Sequence, residues 1–149
     1  MLEVLIGTSS IYYVFVNSHR HENMTVADVP IVAFVALGVL LENLADRQLR
    51  EFRRRKQKSK DLRFAVLAHG LWKYSRHPNY LGEMMFWWGL FIVGFMHDAP
   101  LWCGLGPLLI TLMMIFGSIP ISEERMFRKY PEYKFVQQKT PLLIPAIGF

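Results

Sequence analysis

At 149 residues, with 52% apolar side chains, four Trp and eleven Phe, the chain is too apolar for an average soluble domain and too short for two well-filled cores. That leaves one unit, residues 1–149. A formal charge of +5 raises nucleic acid as a partner, but the basic residues fall in short segments between apolar runs, which points to a membrane and excludes a nucleic-acid face. The single cysteine, Cys103, can form no internal disulfide, so nothing marks an oxidising compartment, and it reads as a small buried apolar residue.

In chain order, the expected elements begin with an apolar run at residues 2–16, "LEVLIGTSSIYYVFV". It lacks a basic start and a small-residue cleavage pattern and is not a signal peptide. A polar linker follows and closes on Asp28 and Pro30, a helix-start pattern in which proline occupies a first-turn position that needs no amide donor. The second run, 29–45, is expected to continue as helix through "LLENLADRQLREFRRRKQK", which holds no Gly or Pro. Pro78 turns "SRHPNY" into a bend that delivers the chain into a third run, 80–96. "HDAP" then makes a tight hairpin into a fourth, 100–121. Beyond Pro120, "SEERMFRKYPEYKFVQQ" reads as a short amphipathic helix capped by Ser122, and "TPLLIPAIGF" as an extended end.

The expected fold is therefore all-α, a polytopic membrane helix bundle of about four spans with a short amphipathic C-terminal helix. A hydrocarbon core of about 30 Å asks for about 20 helical residues, so the shorter runs span by drawing on interfacial Tyr, Trp, Arg and Lys. Nine Lys and Arg lie between Arg47 and Arg63, two more are Lys73 and Arg76, five follow Ser122, and Arg20 stands apart. Alternating spans place the basic segments on one side, which makes the chain multi-pass in an intracellular membrane with its basic loop and C-terminus on the cytosolic or matrix-like face.

Polar residues interrupt this pattern at one level. On the second helix Glu42, Asp46, Leu49 and Arg53 share a face, and Asp46 and Arg50 form an i, i+4 pair. Glu83 lies one turn inside the third run from Asn79, where an unpaired carboxylate costs a few kcal/mol and must face the bundle interior. Two readings stand side by side: a structural ion-pair network joining three helices, or a ligand site. His19, His21 and Glu22 in the linker are surface residues rather than metal ligands, and His97 and Asp98 cap their turn. No Ser/His/Asp order, phosphate-binding loop or metal set occurs.

"GLWKYSRHPNYLGE", the apolar run with "WWG", and "EERMFRKYPEYKFVQQKTPLLIP" together resemble the C-terminal region of the steroid 5-alpha-reductase family and its less characterised membrane relatives. "ENLADRQLREFRR" is similar to the stretch upstream, so the resemblance covers about residues 42–149. More distantly, "RHPNY" and the paired glutamates resemble isoprenylcysteine carboxyl methyltransferases and phospholipid methyltransferases. The resemblance implies a helical membrane domain that binds NADPH from the cytosolic side. It also implies hydride transfer to an activated carbon–carbon double bond of a lipid-like substrate drawn from the membrane.

By that resemblance Arg50, Arg53, Lys73 and Arg76 neutralise the cofactor phosphates, where guanidinium contacts are strong. Asp46, Asn79 and Glu83 meet ribose hydroxyls and the nicotinamide amide. His77 either bonds a phosphate or caps the turn. Tyr80, with Trp72, Tyr74 and Tyr133, offers aromatic faces or interfacial anchors. Glu123 and Glu124 orient arginines or sit at a solvated helix start, and Arg125 reaches the cofactor. The reductases carry a longer N-terminal half that grips the substrate carbonyl, whereas about forty residues precede the resemblance here, with Tyr12 and Tyr13 as proton donors or belt aromatics. No catalytic residue is assigned. Two other expectations follow: a shortened relative without cofactor, acting as an accessory subunit beside other subunits of a membrane complex, or a methyltransferase using S-adenosylmethionine.

Overall fold

The computed structural model describes residues 26–58 and 66–144. The run at 2–16, with Tyr12 and Tyr13, and the linker bearing His19, His21 and Glu22 lie outside the described residues. A short 3-10 turn, Val26–Asp28, leads into α1, Val29–Lys58, an unbroken helix of 30 residues. Pro30 sits in its first turn, and beyond it no proline occurs. At 1.5 Å per residue it is about 45 Å long, more than the hydrocarbon thickness. Another 3-10 turn, Gly70–Lys73, precedes α2, Pro78–Met96, with proline at its first position.

α2 runs antiparallel to α1, and glycines set the distance between them. A Cβ on Gly82 would lie 2.6 Å from the Gly38 carbonyl oxygen and 2.6 Å from the Glu42 amide nitrogen, and one on Gly89 would meet the Val35 side chain at 2.4 Å. The two backbones approach as closely as small residues permit. At the far end His97 Nε2 lies 3.2 Å from Oδ1 of the buried Asp28, tying the last turn of α2 to the start of α1. The hairpin itself is closed by the Ala99 and His97 amides donating to the Gly94 carbonyl, with Asp98 in the left-handed region at φ 61°. His97 thus joins two helices besides shaping the turn.

After a 3-10 turn, Leu101–Gly104, the chain rises as α3, Leu105–Met113, passes through a π-helical turn, Met114–Ser118, and continues as α4, Ile119–Lys129. Pro120 accounts for the π turn, because it offers no amide to the preceding turn and the register opens by one residue. Helix continues through Pro120 where the sequence reading placed a new beginning. The break comes later. The amphipathic segment expected to be one helix divides at Tyr130–Pro131 into α4 and α5, Tyr133–Lys139, because the residue before a proline avoids helical geometry and Tyr130 is extended at φ −138°, ψ 92°.

Met84, Ile110 and Met114 form the core between α2 and the α3 helix, with Trp88 Nε1 donating to Thr111 Oγ1 at 3.0 Å. All regular structure among the described residues is helical. Two helices, Val29–Lys58 and Leu101–Lys129, are long and apolar enough to cross a membrane. The expectation of about four spans is corrected accordingly: 2–16 is outside the described residues, and α2, with Asn79, Glu83 and two tryptophans among 19 residues, lies beside α1 without meeting that standard itself. Leu37, Leu40 and Leu44 on α1 and Leu109, Leu112 and Phe116 on the other candidate span are exposed, as side chains facing lipid are.

Candidate functional site

The segment before α2 is fixed to α1 by its backbone. Gly70 adopts φ 63° and turns the chain so that the Leu71 amide donates to Gln48 Oε1 at 3.0 Å, while Trp72 Nε1 donates to the Ala45 carbonyl at 3.1 Å. Residues after α5 return to the same segment: the Arg76 amide donates to the Pro141 carbonyl at 3.0 Å, and the Ser75 and Thr140 hydroxyls donate to the Leu142 and Lys73 carbonyls. The C-terminal end of α1, the N-terminal end of α2 and the α4–α5 pair are thereby held around a common space.

That space is a cavity of about 570 Å³ lined by Leu49, Phe52, Arg53, Lys56 and Gln57 of α1, by Val66, Leu67, Trp72, Arg76, His77, Asn79 and Tyr80, and by Ser122, Met126, Lys129, Tyr130, Tyr133 and Val136. It falls within the size range of small-molecule sites. Beneath it Glu123 acts as a hub. Oε1 accepts from His77 Nε2 at 3.0 Å and from the Tyr133 hydroxyl at 3.0 Å, while Oε2 accepts from Gln137 Nε2 at 2.8 Å and from an Arg76 guanidinium nitrogen. Four donors fill both oxygens and keep the group a carboxylate. His77 in turn stacks on Tyr80, with ring centroids 5.4 Å apart and planes 9° from parallel.

Of the residues singled out from the sequence, Arg53, Arg76, His77, Asn79 and Tyr80 meet around the cavity. Glu123 touches it only through the groups it holds. Five others lie elsewhere. Asp46 and Arg50 pair with each other along α1 at 3.7 Å, Glu83 sits a turn deeper in α2, the Lys73 side chain is exposed beside Tyr74, and Arg125 is exposed on α4. The converse also holds: Lys56, Lys129 and Tyr130 reach the cavity although the sequence reading placed Lys56 in the solvated basic end of the second helix and Lys129 and Tyr130 inside one amphipathic helix. Lys56 Nζ stands 3.8 Å from the centroid of the Tyr130 ring, and Lys129 Nζ 5.6 Å from it. A basic residue two positions before the proline break, Lys129 ahead of Pro131, together with the basic end of α1, was the available signal. No cluster of three or more His, Cys, Asp or Glu able to hold a metal occurs among the described residues.

The titrating groups divide by depth. The Lys56 ammonium, with Lys129 beside it, lowers the Tyr130 phenol below its ordinary value. Burial, reinforced by the Glu123 carboxylate, pushes the Tyr133 phenol up. Burial lowers His77 from 6.5, opposed by Glu123, so the ring is neutral when folded. The consequence for stability has a definite sign: between the folded value and 6.5 the unfolded chain binds a proton that the native state does not, so stability falls as pH drops through that window. The thermal midpoint of the wild-type chain is expected to fall more than that of His77→Gln between pH 8 and pH 5, and equal slopes would contradict the buried neutral ring.

Comparison with known proteins adds a family. A family profile bearing the description "Protein of unknown function (DUF1295)" matches residues 2–140. An uncharacterized protein of Schizosaccharomyces pombe (strain 972) is 30% identical over 87 residues, an alignment covering 54% of this chain and 24% of that protein. The chain therefore spans about a quarter of the length of this relative. No solved structure matches.

Proposed function

The chain belongs to the DUF1295 family, and from that premise we propose that it is an NADPH-binding membrane oxidoreductase of the steroid 5-alpha-reductase type, acting on a conjugated double bond of a lipid-like or steroid-like substrate. One observation carries the reading: Arg53, Lys56 and Lys129 converge on a cavity whose lining, among the described residues, contains no carboxylate. Such a site favours a ligand with several negative charges. S-adenosylmethionine carries a sulfonium and no phosphate, and gains little from this arrangement, so the methyltransferase reading is the weaker one.

The groups present fit the cofactor in two sets. Arg53, Lys56 and Lys129 would hold the phosphates, and the Tyr130 and Phe52 rings beside them offer flat faces to a base. Deeper in, Asn79 Oδ1 and Arg76 Nε are buried without a partner. Orphaned polar atoms of this kind call for a ligand group. Bound NADPH supplies a hydride at its nicotinamide ring. The protein's own residues neutralise, orient and exclude water, with the Glu123 hub keeping Arg76 and His77 in place. In this reading the basic end of α1 and the cavity face the cytosol or a matrix-like compartment of an intracellular membrane, following the distribution of Lys and Arg.

The test compares cations on one helix. NADPH is expected to raise the thermal midpoint of the detergent-solubilised protein, and S-adenosylmethionine to leave it unchanged. Arg53→Ala should weaken NADPH by about tenfold or more, as loss of a charge-assisted hydrogen bond does. Arg55→Ala, whose guanidinium is exposed and already paired with Glu51, should change it little. Equal effects at the two positions would reduce the cavity to general surface electrostatics. No response to either nucleotide would favour the accessory-subunit reading, in which the cavity serves no cofactor.

A further inference from the structure

We infer that His77 is a specificity-determining acceptor: its Nδ1 takes a hydrogen bond from a hydroxyl or amide N–H of the ligand, and a phosphate is not its partner. The inference rests on the NADPH reading and adds which part of such a ligand faces this residue. The Glu123 carboxylate supplies the first step. Its two oxygens accept four hydrogen bonds, one of them from His77 Nε2. An ionised carboxylate only accepts, so the proton of the neutral imidazole is on Nε2 and the lone pair is on Nδ1. His77 lines the cavity. The described buried side-chain atoms that lack any partner are Arg76 Nε and Asn79 Oδ1, and Nδ1 is not among them. With no protein donor assigned to it, Nδ1 opens onto the cavity.

Asn79 Oδ1, two residues on, is a second acceptor without a donor, and Arg76 Nε is a donor without an acceptor, so this part of the wall offers lone pairs and one N–H to whatever enters, the pairing that a hydroxyl or a carboxamide meets on both counts. The cations supplied by the C-terminal ends of α1 and α4, Arg53, Lys56 and Lys129, are where phosphate oxygens belong. A ligand satisfying both would carry its negative charge at one end and donors at the other, as a phosphorylated riboside does with its hydroxyls or a carboxamide. The ring is held in place by Tyr80 stacked on one side and by Glu123 at its edge. The ionisable and hydrogen-bonding groups around it are Glu123, Tyr133 and Gln137 from the α4–α5 pair and Arg76 from its own segment, with Arg53 and Lys56 of α1 lining the same cavity.

Two substitutions separate the ring nitrogens. His77→Gln places an amide N–H near the Nε2 position and keeps the bond to Glu123, but provides no acceptor at Nδ1. His77→Asn places its amide near the Nδ1 position and gives up Glu123. With NADP⁺, the acid-stable oxidised form, as the probe, the wild type and both variants are compared by equilibrium dialysis from pH 8 to pH 5.5. His77→Gln is expected to keep a thermal midpoint near that of the wild type while its Kd rises about tenfold, and His77→Asn to retain affinity despite a lower midpoint. Because the ligand's own phosphate titrates near pH 6 in every sample, the informative quantity is the difference between wild type and His77→Asn. The wild type should lose additional affinity as pH falls, since protonating Nδ1 removes the acceptor.

Unchanged affinity in His77→Gln would overturn the assignment, as would wild-type affinity that rises relative to His77→Asn as pH falls, the behaviour of an imidazolium bound to phosphate. A wild type that binds no NADP⁺ at any pH would instead remove the NADPH reading, and this inference with it. The control without variants therefore distinguishes the two failures.

Discussion

Glu123→Ala is expected to be the most damaging single side-chain truncation in the described part of the molecule, lowering stability by about 3–5 kcal/mol, the cost typical of removing one partner from a buried ion pair. Four donors from two segments, Arg76 and His77 before α2, Tyr133 and Gln137 on α5, lose their common acceptor at once. The Glu123 side chain is 14% exposed and that of Arg76 14%, so water cannot readily substitute. Glu123→Gln should fall between, since an amide accepts at one oxygen and turns an unwanted donor toward the others. Glu124 provides the internal control. It pairs with Arg128 one turn away, with both side chains more than half exposed, and Glu124→Ala should shift the thermal midpoint barely at all. Comparable losses at the two positions would show that Glu123 does not hold the segments together.

The second large effect is expected at the helix crossing. In Gly82→Ala the new methyl carbon would lie 2.6 Å from both the Gly38 carbonyl oxygen and the Glu42 amide nitrogen. Both obstacles are backbone, which cannot swing away as a side chain would, so α1 and α2 must separate along the contact. A cost above the usual 1–3 kcal/mol of overpacking follows, roughly 3 kcal/mol or more. The separation would also move Leu49, Phe52 and Arg53 relative to Asn79 and Tyr80, and so open the cavity. Gly117→Ala is the matched control, because a Cβ there meets nothing within 4 Å and replacing glycine in a helix gains about 0.5–1 kcal/mol. Thermal melts in detergent, paired with NADPH titration, check both: loss of stability and ligand response together at Gly82, neither at Gly117. A tolerated Gly82→Ala would mean that the two helices do not approach as described.

What could be read from the sequence follows from what a one-dimensional pattern encodes. The length of α1 was legible because no proline follows Pro30 and the residues after Gly38 are mostly Leu, Glu, Arg, Gln and Lys, good helix formers. The start of α2 was legible because Pro78 fixes it. Rotation about the helix axis was less accessible. Asp46, Leu49 and Arg53 share a face of α1, but a face spans a wide arc, and the structure turns Leu49 and Arg53 toward the cavity while Asp46 pairs with Arg50. The depth of Glu83 was likewise known, yet depth along α2 says nothing of which neighbour it meets.

The division between α4 and α5 was written in Tyr130–Pro131 and was obscured by the helix-forming residues on both sides. That break turns α5 back so that Tyr133 and Gln137 meet Glu123, which no spacing rule would bring together. Lys56 and Lys129 belong to the same class. Each lies in a basic stretch that resembles any solvated helix surface, and only the meeting of α1 with α4 makes them neighbours across Tyr130. The count of spans differs for a compositional reason: the third run, 80–96, is short and was expected to span by drawing on interfacial residues, but Asn79, Glu83, Trp87 and Trp88 leave α2 outside the helices apolar enough to cross.

Equilibrium dialysis of the purified wild-type protein against NADPH, with S-adenosylmethionine in a parallel cell, tests the central claim most directly. The account predicts retention of one NADPH per chain, abolished by the double substitution Arg53→Ala and Lys56→Ala, with no retention of S-adenosylmethionine. Retention of S-adenosylmethionine in preference to NADPH, or of neither, would contradict it.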